Sequence, residues 1–391
     1  MIKDKYYLKF QLIFFLFISG FGFFFPYFNV YLEQQKGLTG SEIGLIISVS
    51  LLTSVAISPL WGMIADKTGK YKLLLKFLLL TYSITAFLLF QSTTFFWVIA
   101  ITTLLETLGI GMSPMLDILA VNYCEKTGKD FGVLRISASI GWIFGSFVAG
   151  VLITNFMFDI GYSIFLPLII CMILSFLIVF FLPNPDKKTT VEQTNEKVTL
   201  KDLLRNDAFV FILLFNVMTL ALIDSVVAFS GNHLVLTLGA DASAIGLMNL
   251  VAVAPELIIF IFATRLMNYF GYKKFYIFAV ITLILRFTIY ALTANVTIFI
   301  LAGGIGAFMM VPAIIGNVLY IKKHVKPNLI GMAFVLNIAV MTLGRAIFSL
   351  IFGVIYDAFG SFMLFKFSMI FFIIALLILL RTKHFEVFDK R

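Results

Sequence analysis

The sequence predicts an all-α, polytopic membrane protein with twelve transmembrane helices, arranged as two six-helix bundles with pseudo-twofold symmetry. Hydrophobic residues make up 61% of the 391 residues, and apolar runs of about 20 residues, enough to cross a bilayer as helix, recur along the whole chain. These runs are too long and too uniformly apolar for the alternating strands of a membrane barrel. One long polar stretch, Pro183 to Asp207, divides them six and six.

The apolar runs define the helices in chain order, and short polar or charged loops separate them. Because helices and closed barrels are the structures that satisfy the backbone in hydrocarbon, each run is predicted to be one helix. The predicted spans are about 9–32, 41–64, 73–91, 94–120, 132–155, 160–182, 207–231, 241–265, 274–294, 296–320, 328–353 and 360–381.

The long polar stretch predicts the domain organisation. Residues 1–182 form the N-terminal bundle, residues 183–206 a cytoplasmic linker, and residues 207–391 the C-terminal bundle. A solvated linker between two six-helix bundles is typical of transporters whose halves rock about a central site.

The distribution of basic residues predicts the orientation. Of the 29 Lys and Arg residues, 23 fall at the termini or in the loops on the same side as the termini. That excess places both termini and the linker in the cytoplasm, as expected for a multi-pass protein of the cell membrane. The net charge of +9 is explained by anionic lipid on the inner leaflet, so no nucleic-acid partner is predicted.

Several chemistries are excluded by the motifs that the chain lacks. There is no Gly-Lys-Ser/Thr phosphate loop, so energy from ATP bound by this chain is not expected. The three histidines are scattered without metal-ligand spacing, and no nucleophile stands with a base. The sequence therefore predicts no cofactor, no metal site and no enzymatic activity. A non-transporting sensor is also disfavoured, because a sensor would normally add a soluble domain.

Seven charges lie inside predicted helices, where each costs a few kcal/mol or more. Such residues usually face the bundle interior and mark substrate or ion pathways, whereas buried ion pairs contribute little stability. One interpretation is that they are salt bridges that only hold helices together; for all seven we favour a functional cavity. They are Glu106, Asp117, Asp224 and Glu256 among the acids, and Arg135, Arg286 and Arg345 among the bases.

The spacing of these charges predicts which side chains share a helix face. Glu106 and Asp117 are eleven residues apart, about three helical turns, so both point the same way. Arg135, on the next helix, is a natural partner for Asp117, and such a pair can donate to and accept from sugar hydroxyls. Trp142 follows Arg135 by seven residues and shares its face, where its ring can stack on a hexose or act as an interface residue.

The loop between predicted helices 2 and 3 carries a motif, Gly62-Met-Ile-Ala-Asp66-Lys-Thr-Gly69-Lys-Tyr-Lys72. It resembles the signature loop of the major facilitator superfamily, with glycine, aspartate, glycine and basic residues in the same order. The resemblance implies a conformational gating loop. Gly62 is expected to permit close helix contact and Gly69 a tight turn, while Asp66 pairs in one conformation of the transport cycle.

Helices 4 and 5 carry a finer resemblance. Pro114 and Asp117, followed by Phe131-Gly-Val-Leu-Arg135-Ile-Ser-Ala-Ser-Ile-Gly-Trp142, look like the oligosaccharide–proton symporter branch, which includes lactose and sucrose permeases. The phenylpropionate and nucleoside permeases are near relatives. The resemblance implies that the substrate site contains Asp117, Arg135, Trp142 and the Glu256 of a Pro-Glu-Leu sequence, and that Asp224 is an intramembrane aspartate.

The chain departs from that branch in helix 10, where the proton-coupling groups of the family stand. Residues 303–312 contain no titratable side chain. Arg286 is retained on helix 9, and Arg345 lies about one turn from the lysine position of helix 11. The proton carrier is therefore expected among Glu256, Asp224 and Glu106. We favour Glu256, which follows a proline and has no basic neighbour in its own helix.

Together these observations predict a monomeric secondary symporter that uses protons to take up a small polar solute, first of all a sugar or oligosaccharide. A nucleoside or an aromatic acid is the alternative substrate. A drug or metabolite exporter is the alternative direction, although residues 132–155 lack the proline expected of an exporter.

Overall fold

The computed structural model describes residues 5–156, 159–183 and 200–385, and these are almost entirely helical. The part of the chain so described contains no strand and twelve helices long and apolar enough to cross a membrane. The predicted fold class, an all-α protein with twelve transmembrane helices, is confirmed.

The helices are labelled α1 to α12 in chain order. A single helical turn, Leu200–Leu204, precedes α7. The bounds are Lys5–Gln34 for α1, Gly40–Thr68 for α2, Tyr71–Gln91 for α3, Phe95–Thr127 for α4, Phe131–Asn155 for α5, Ile160–Phe180 for α6, Asp207–Val227 for α7, Ser243–Phe270 for α8, Tyr272–Leu292 for α9, Val296–His324 for α10, Ile330–Phe359 for α11 and Ser361–Arg381 for α12.

The described chain forms two compact units. One falls within Met1–Val191 and also contains Ala240–Gly246, and the other falls within Glu192–Gly239 and Leu247–Arg391. Most of the predicted linker, residues 184–199, lies outside the described residues. The division at 182 and 207 stays a prediction.

Several helices continue beyond their predicted ends, because the prediction followed apolar composition whereas a helix ends at a capping residue. Helix α4 was predicted to end near 120 and runs to Thr127, where Gly128 has a left-handed φ of 64°. Helix α2 likewise ends at Gly69, whose φ is 61°, a conformation that glycine adopts without steric cost.

In the first unit, glycines let α5 pack closely on α1. A Cβ at Gly141 would collide with the carbonyl oxygen of Phe15, and one at Gly145 with that of Ser19. Small residues of this kind allow membrane helices to approach backbone to backbone. The same unit packs α2 and α3 on α4, and α3 on α6.

Lysine side chains cap helix ends in the first unit. Lys36, in the loop after α1, donates to the carbonyl oxygens of Phe90 (3.3 Å) and Ser92 (2.5 Å) at the end of α3. Carbonyls in the last turn of a helix lack partners within it and attract cations. Burial lowers the pKa of the Lys36 ammonium, and the nearby charge of Asp159 opposes that shift.

Each unit contains the same kind of lysine cap on a helix end, which sequence analysis had not identified. Lys72, at the start of α3, donates to the carbonyl oxygens of Phe180 (3.0 Å) and Leu182 (2.5 Å), at the end of α6. Lys273, at the start of α9, donates in the same way at the end of α12, to those of Leu380 (3.1 Å) and Thr382 (2.6 Å). The pseudo-twofold repeat of the two bundles therefore extends to these individual hydrogen bonds.

In the second unit α7 is interrupted, although the sequence predicted one continuous helix over 207–231. A π-helical segment, Val217–Ala221, lies within it, and a further one, His233–Thr237, follows a break at residues 228 and 229. The hydroxyl groups of Thr219 and Ser225 donate to the carbonyls four residues back. Such bonds compete with the regular backbone ladder and distort it.

Helix α10 is also irregular, for reasons that its sequence supplies. A 3₁₀ turn occupies Gly304–Gly306, and a π-helical segment occupies Pro312–Gly316. Proline lacks the N–H that an α-helix requires, and glycine weakens the helix interior. The carbonyl oxygen of Pro312 accepts a 3.0 Å hydrogen bond from the Tyr276 hydroxyl on α9.

Candidate functional site

Asp117 on α4 and Arg135 on α5 are in contact. Arg135 Nη2 lies 3.4 Å from Asp117 Oδ2. The Asp117 side chain is 29% exposed and that of Arg135 is 56% exposed, so the guanidinium keeps donors that the carboxylate does not occupy. The guanidinium also lies 5.7 Å from the ring centre of Phe131, one turn earlier on α5. The arrangement offers hydrogen-bond donors and acceptors side by side to a polar solute.

Trp142 lies two turns after Arg135 on α5, and its side chain is half-buried. Its backbone is held tightly against α1, since a Cβ at Gly22 would lie 2.5 Å from the Trp142 carbonyl oxygen. Close packing of α5 on α1 therefore fixes the position from which the indole ring projects. Whether the ring contacts a solute stays a prediction.

Glu106 is half-buried on α4, toward the start of the helix from Asp117. Its charge acts on Tyr82 of α3, which is 1% exposed. Glu106 stays a proposed intramembrane charge of the first unit.

Glu256 on α8 is half-buried and directly follows Pro255. The sequence analysis found no basic neighbour within its own helix. The charge of Arg286, on α9, influences the Glu256 carboxylate. Helix α10 approaches closely here. A Cβ at Gly304 would lie 3.0 Å from the carbonyl oxygen of Val251 and 3.6 Å from Cγ of Pro255.

Arg286 is 6% exposed and is surrounded by aromatic rings of its own helix. Its Nη2 donates to the Tyr290 hydroxyl at 3.2 Å, and its guanidinium carbon lies 5.1 Å from the Tyr290 ring centre and 5.6 Å from that of Phe287. Among the described residues its Nε has no hydrogen-bond partner. A buried guanidinium with an unused donor favours an anionic neighbour.

Gly306 makes room for this arginine. A Cβ at that position would collide with Nη1 of Arg286, so the 3₁₀ turn of α10 leaves the space that the guanidinium fills. Sequence analysis had not identified Tyr290. The available signal was the spacing, since Tyr290 follows Arg286 by one helical turn.

Asp224 on α7 and Arg345 on α11 form a second ion pair, with Arg345 Nε 3.5 Å from Asp224 Oδ2. The two side chains are almost equally exposed, at 40% and 39%. The Ser225 hydroxyl also donates to the Arg345 carbonyl oxygen at 3.1 Å. The pair therefore lies where α7 and α11 are already held together, and its role in coupling stays a prediction.

The predicted gating loop gives mixed results. Gly69 ends α2 with a positive φ, as a tight turn requires. Asp66 is exposed and accepts a 2.6 Å hydrogen bond from the Tyr71 hydroxyl. The expected close contact at Gly62 is not found, because a Cβ there would meet no described atom within 4 Å.

The predicted site residues thus fall into local groups. The first unit holds Asp117, Arg135, Trp142 and Glu106, and the second holds Glu256 with Arg286 and Asp224 with Arg345. Across the described ranges, no group of three or more His, Cys, Asp or Glu residues has metal-binding geometry. These side chains are capable of hydrogen bonding, of charge pairing and, at the carboxylates, of proton exchange.

Comparison with known proteins gives consistent matches. The model of the MFS_1 like family matches residues 7–367. The maltose permease of Geobacillus stearothermophilus is 27% identical over 284 residues, covering 72% of this chain and 70% of the permease. The quinolone resistance protein NorA of Staphylococcus aureus is 31% identical over 153 residues, 38% of each chain. A crystal structure of the nucleoside transporter NupG has a TM-score of 0.85 at 16% identity, covering 95% of this chain and 98% of that one.

Proposed function

The chain belongs to the MFS_1 like family, and from this premise we propose that it is a proton-coupled symporter that takes up a sugar or oligosaccharide by alternating access. The predicted resemblance to the major facilitator superfamily is confirmed, and the chain is a multi-pass membrane transporter rather than an enzyme. What we propose beyond this is the class of solute, the coupling ion and the direction of transport.

One observation carries the proposal: the half-exposed pair of Asp117 and Arg135 on adjacent helices. Sugar hydroxyls both donate and accept hydrogen bonds, and a carboxylate beside a guanidinium satisfies both roles within 3.4 Å. The Arg135 side chain is 56% exposed, so its guanidinium is accessible to a solute. Trp142, two turns further on, adds the apolar surface on which a hexose ring stacks.

The similarity to a protein named maltose permease, over 72% of this chain, supports a glycoside as the solute. The fold shared with NupG carries no weight for the substrate, because at 16% identity it reflects architecture. We propose maltose and related gluco-oligosaccharides as the first solutes to assay.

Proton coupling is proposed from Glu256 and its arginine neighbour. A carboxyl group under the electrostatic influence of Arg286 has a charged state and a protonated state, and a symporter needs such a switch in each cycle. We propose that the protein acts as a monomer in the cell membrane, with both termini in the cytoplasm, as the basic loops predict.

Export is the second candidate, and the local similarity to NorA favours it. That similarity covers 38% of each chain, whereas the maltose permease similarity covers most of both. Import therefore has the broader support, and direction can be measured directly.

The test is uptake of radiolabelled maltose into right-side-out membrane vesicles. An inward proton gradient is imposed, with and without a protonophore, and vesicles lacking the protein are the control. We expect accumulation that the protonophore abolishes. Accumulation driven by sodium alone would refute the coupling ion, and accumulation only in inverted vesicles would establish export. If no sugar is taken up in either orientation, the proposed solute is wrong.

A further inference from the structure

A cavity of about 670 Å³ opens at the ends of α8, α9 and α10 in the second unit. Its lining comes from the segment that joins α8 to α9, around Gly271, and from the last turns of α10. The basic loops predict that this end faces the cytoplasm. Its lining does not include Glu256 or Arg286, and the proposed transport function does not use it.

The cavity is strongly basic. Lys274, Lys322 and Lys323 line it, and the described residues of its lining include no Asp or Glu. Lys274 and Lys322 are exposed, so their ammonium groups are accessible to a ligand from the aqueous side. Three positive charges around one concave surface favour a ligand that carries phosphate.

The equivalent loop of the first unit differs at one informative position. Three residues before Gly69 stands Asp66, which accepts a hydrogen bond from Tyr71. Three residues before Gly271 stands Asn268, which lines the cavity. The second loop has thus lost the carboxylate that would repel an anion, while it keeps its basic residues.

Aromatic residues form the other part of the lining. Tyr269 is 83% exposed and Phe270 is 52% exposed, and their rings meet edge to face at 5.0 Å. Large exposed aromatic side chains at the end of a transmembrane helix are typical of the membrane interface, where the ring sits at headgroup level. The cavity therefore opens where lipid headgroups lie.

We propose that this cavity binds the headgroup of an anionic phospholipid of the bilayer, with the three lysines on the phosphate groups and Tyr269 and Phe270 at the acyl-chain boundary. Basic pockets between transmembrane helices on the cytoplasmic side suit such headgroups. A soluble phosphate compound offers the same charge but gives no role to the exposed aromatic pair, so the lipid is the occupant we choose.

The test uses the full-length purified protein in detergent, with native mass spectrometry as the binding measurement. The probes are cardiolipin, which carries two phosphates, and phosphatidylcholine, which has no net charge. The triple variant Lys274→Gln/Lys322→Gln/Lys323→Gln is compared with Lys5→Gln/Lys126→Gln/Lys129→Gln. This control removes three exposed lysines from the first unit.

We expect the wild type to prefer cardiolipin, and each cavity lysine to contribute about fivefold in affinity, so that the triple variant loses about 100-fold. The control should lose less than about threefold by the same reasoning. Tyr269→Ser/Phe270→Ser should also weaken cardiolipin binding. Melting temperatures of all variants separate lost binding from lost folding, and the single variant Lys274→Gln serves if the triple variant does not fold.

Three outcomes would overturn the proposal. Equal losses in the cavity variant and the control would mean that lipid binds by diffuse charge attraction. Equal affinity for phosphatidylcholine would remove the role of the lysines. Displacement of cardiolipin by millimolar inorganic phosphate, with no effect of the aromatic variant, would identify a site for soluble phosphate.

Discussion

The two units each contain an acid–arginine pair between neighbouring helices, and the two pairs are built differently. In the first, Arg135 is 56% exposed and its partner Asp117 only 29%. In the second, Arg345 and Asp224 are equally exposed, at 39% and 40%, and a serine hydroxyl joins the same two helices. In the first pair the guanidinium is largely exposed, whereas the second pair is part of the contact between α7 and α11.

The framework around the pairs is common to both units. Lys72 and Lys273 cap the ends of α6 and α12 through the same pattern of two carbonyl contacts. The second unit adds the buried Arg286 with Glu256, beside helices broken by π-helical segments. Such segments are frequent at functional sites. From this comparison we propose a division of labour, with solute recognition in the first unit and proton coupling in the second.

The largest effect is expected for Arg135→Ala, which removes a recognition residue of the first unit. We expect it to lower uptake by about 100-fold or more, since charge-assisted hydrogen bonds to the solute are lost. The exposed Arg381→Ala is the matched control and should transport normally. Adding Asp117→Asn should reduce the insertion damage that the unpaired carboxylate causes. Wild-type uptake by the Arg135→Ala protein would remove this residue from the site.

On the coupling side, we expect Glu256→Gln to abolish accumulation against a gradient and to preserve exchange of solute across the membrane. Exchange needs only the loaded carrier to reorient, whereas accumulation requires that the proton leaves. The measurement is counterflow and gradient-driven uptake in the same vesicles, with the exposed Glu125→Gln as control. If Glu256→Gln still concentrates solute, the carrier is Asp224 or Glu106.

A smaller effect is expected at Trp142, which tests whether recognition extends along α5. Trp142→Ala should weaken solute binding about tenfold, as loss of a stacking ring does elsewhere, and Trp142→Phe should weaken it less. Equilibrium binding to the purified protein measures both. Equal affinities for wild type and Trp142→Ala would assign the ring to packing or to the membrane interface.

The smallest effect is expected at Gly306, where a methyl group would displace the Arg286 guanidinium. Because that guanidinium ends a flexible side chain, Gly306→Ala should cost only about 1 kcal/mol of stability, with a clear fall in gradient-driven accumulation. Gly331→Ala is the control, since a Cβ added at that position would meet no described atom within 4 Å. Unchanged accumulation in Gly306→Ala would show that the exact position of Arg286 does not matter for coupling.

Individual elements show what could be predicted. The contact of Asp117 with Arg135 was predictable, because both charges had to be satisfied inside hydrocarbon and their helices are adjacent in sequence. The interruption of α7 and the electrostatic influence of Arg286 on Glu256 were not. They depend on side-chain hydroxyls competing with the backbone, and on which faces of α8, α9 and α10 meet. Gly62 shows the opposite error, since its motif predicted a close contact that this conformation lacks.

The sequence by itself determined the twelve helices, their all-α class and the set of charges that had to be paired. It did so because a bilayer demands about 20 apolar residues for each span and tolerates few charges between them. The tertiary structure decided the partner and the exposure of each charge. Those depend on how glycines such as Gly145 and Gly306 let neighbouring backbones and guanidinium groups approach. Close approach depends on both helices of a pair, so the sequence of one helix does not determine it.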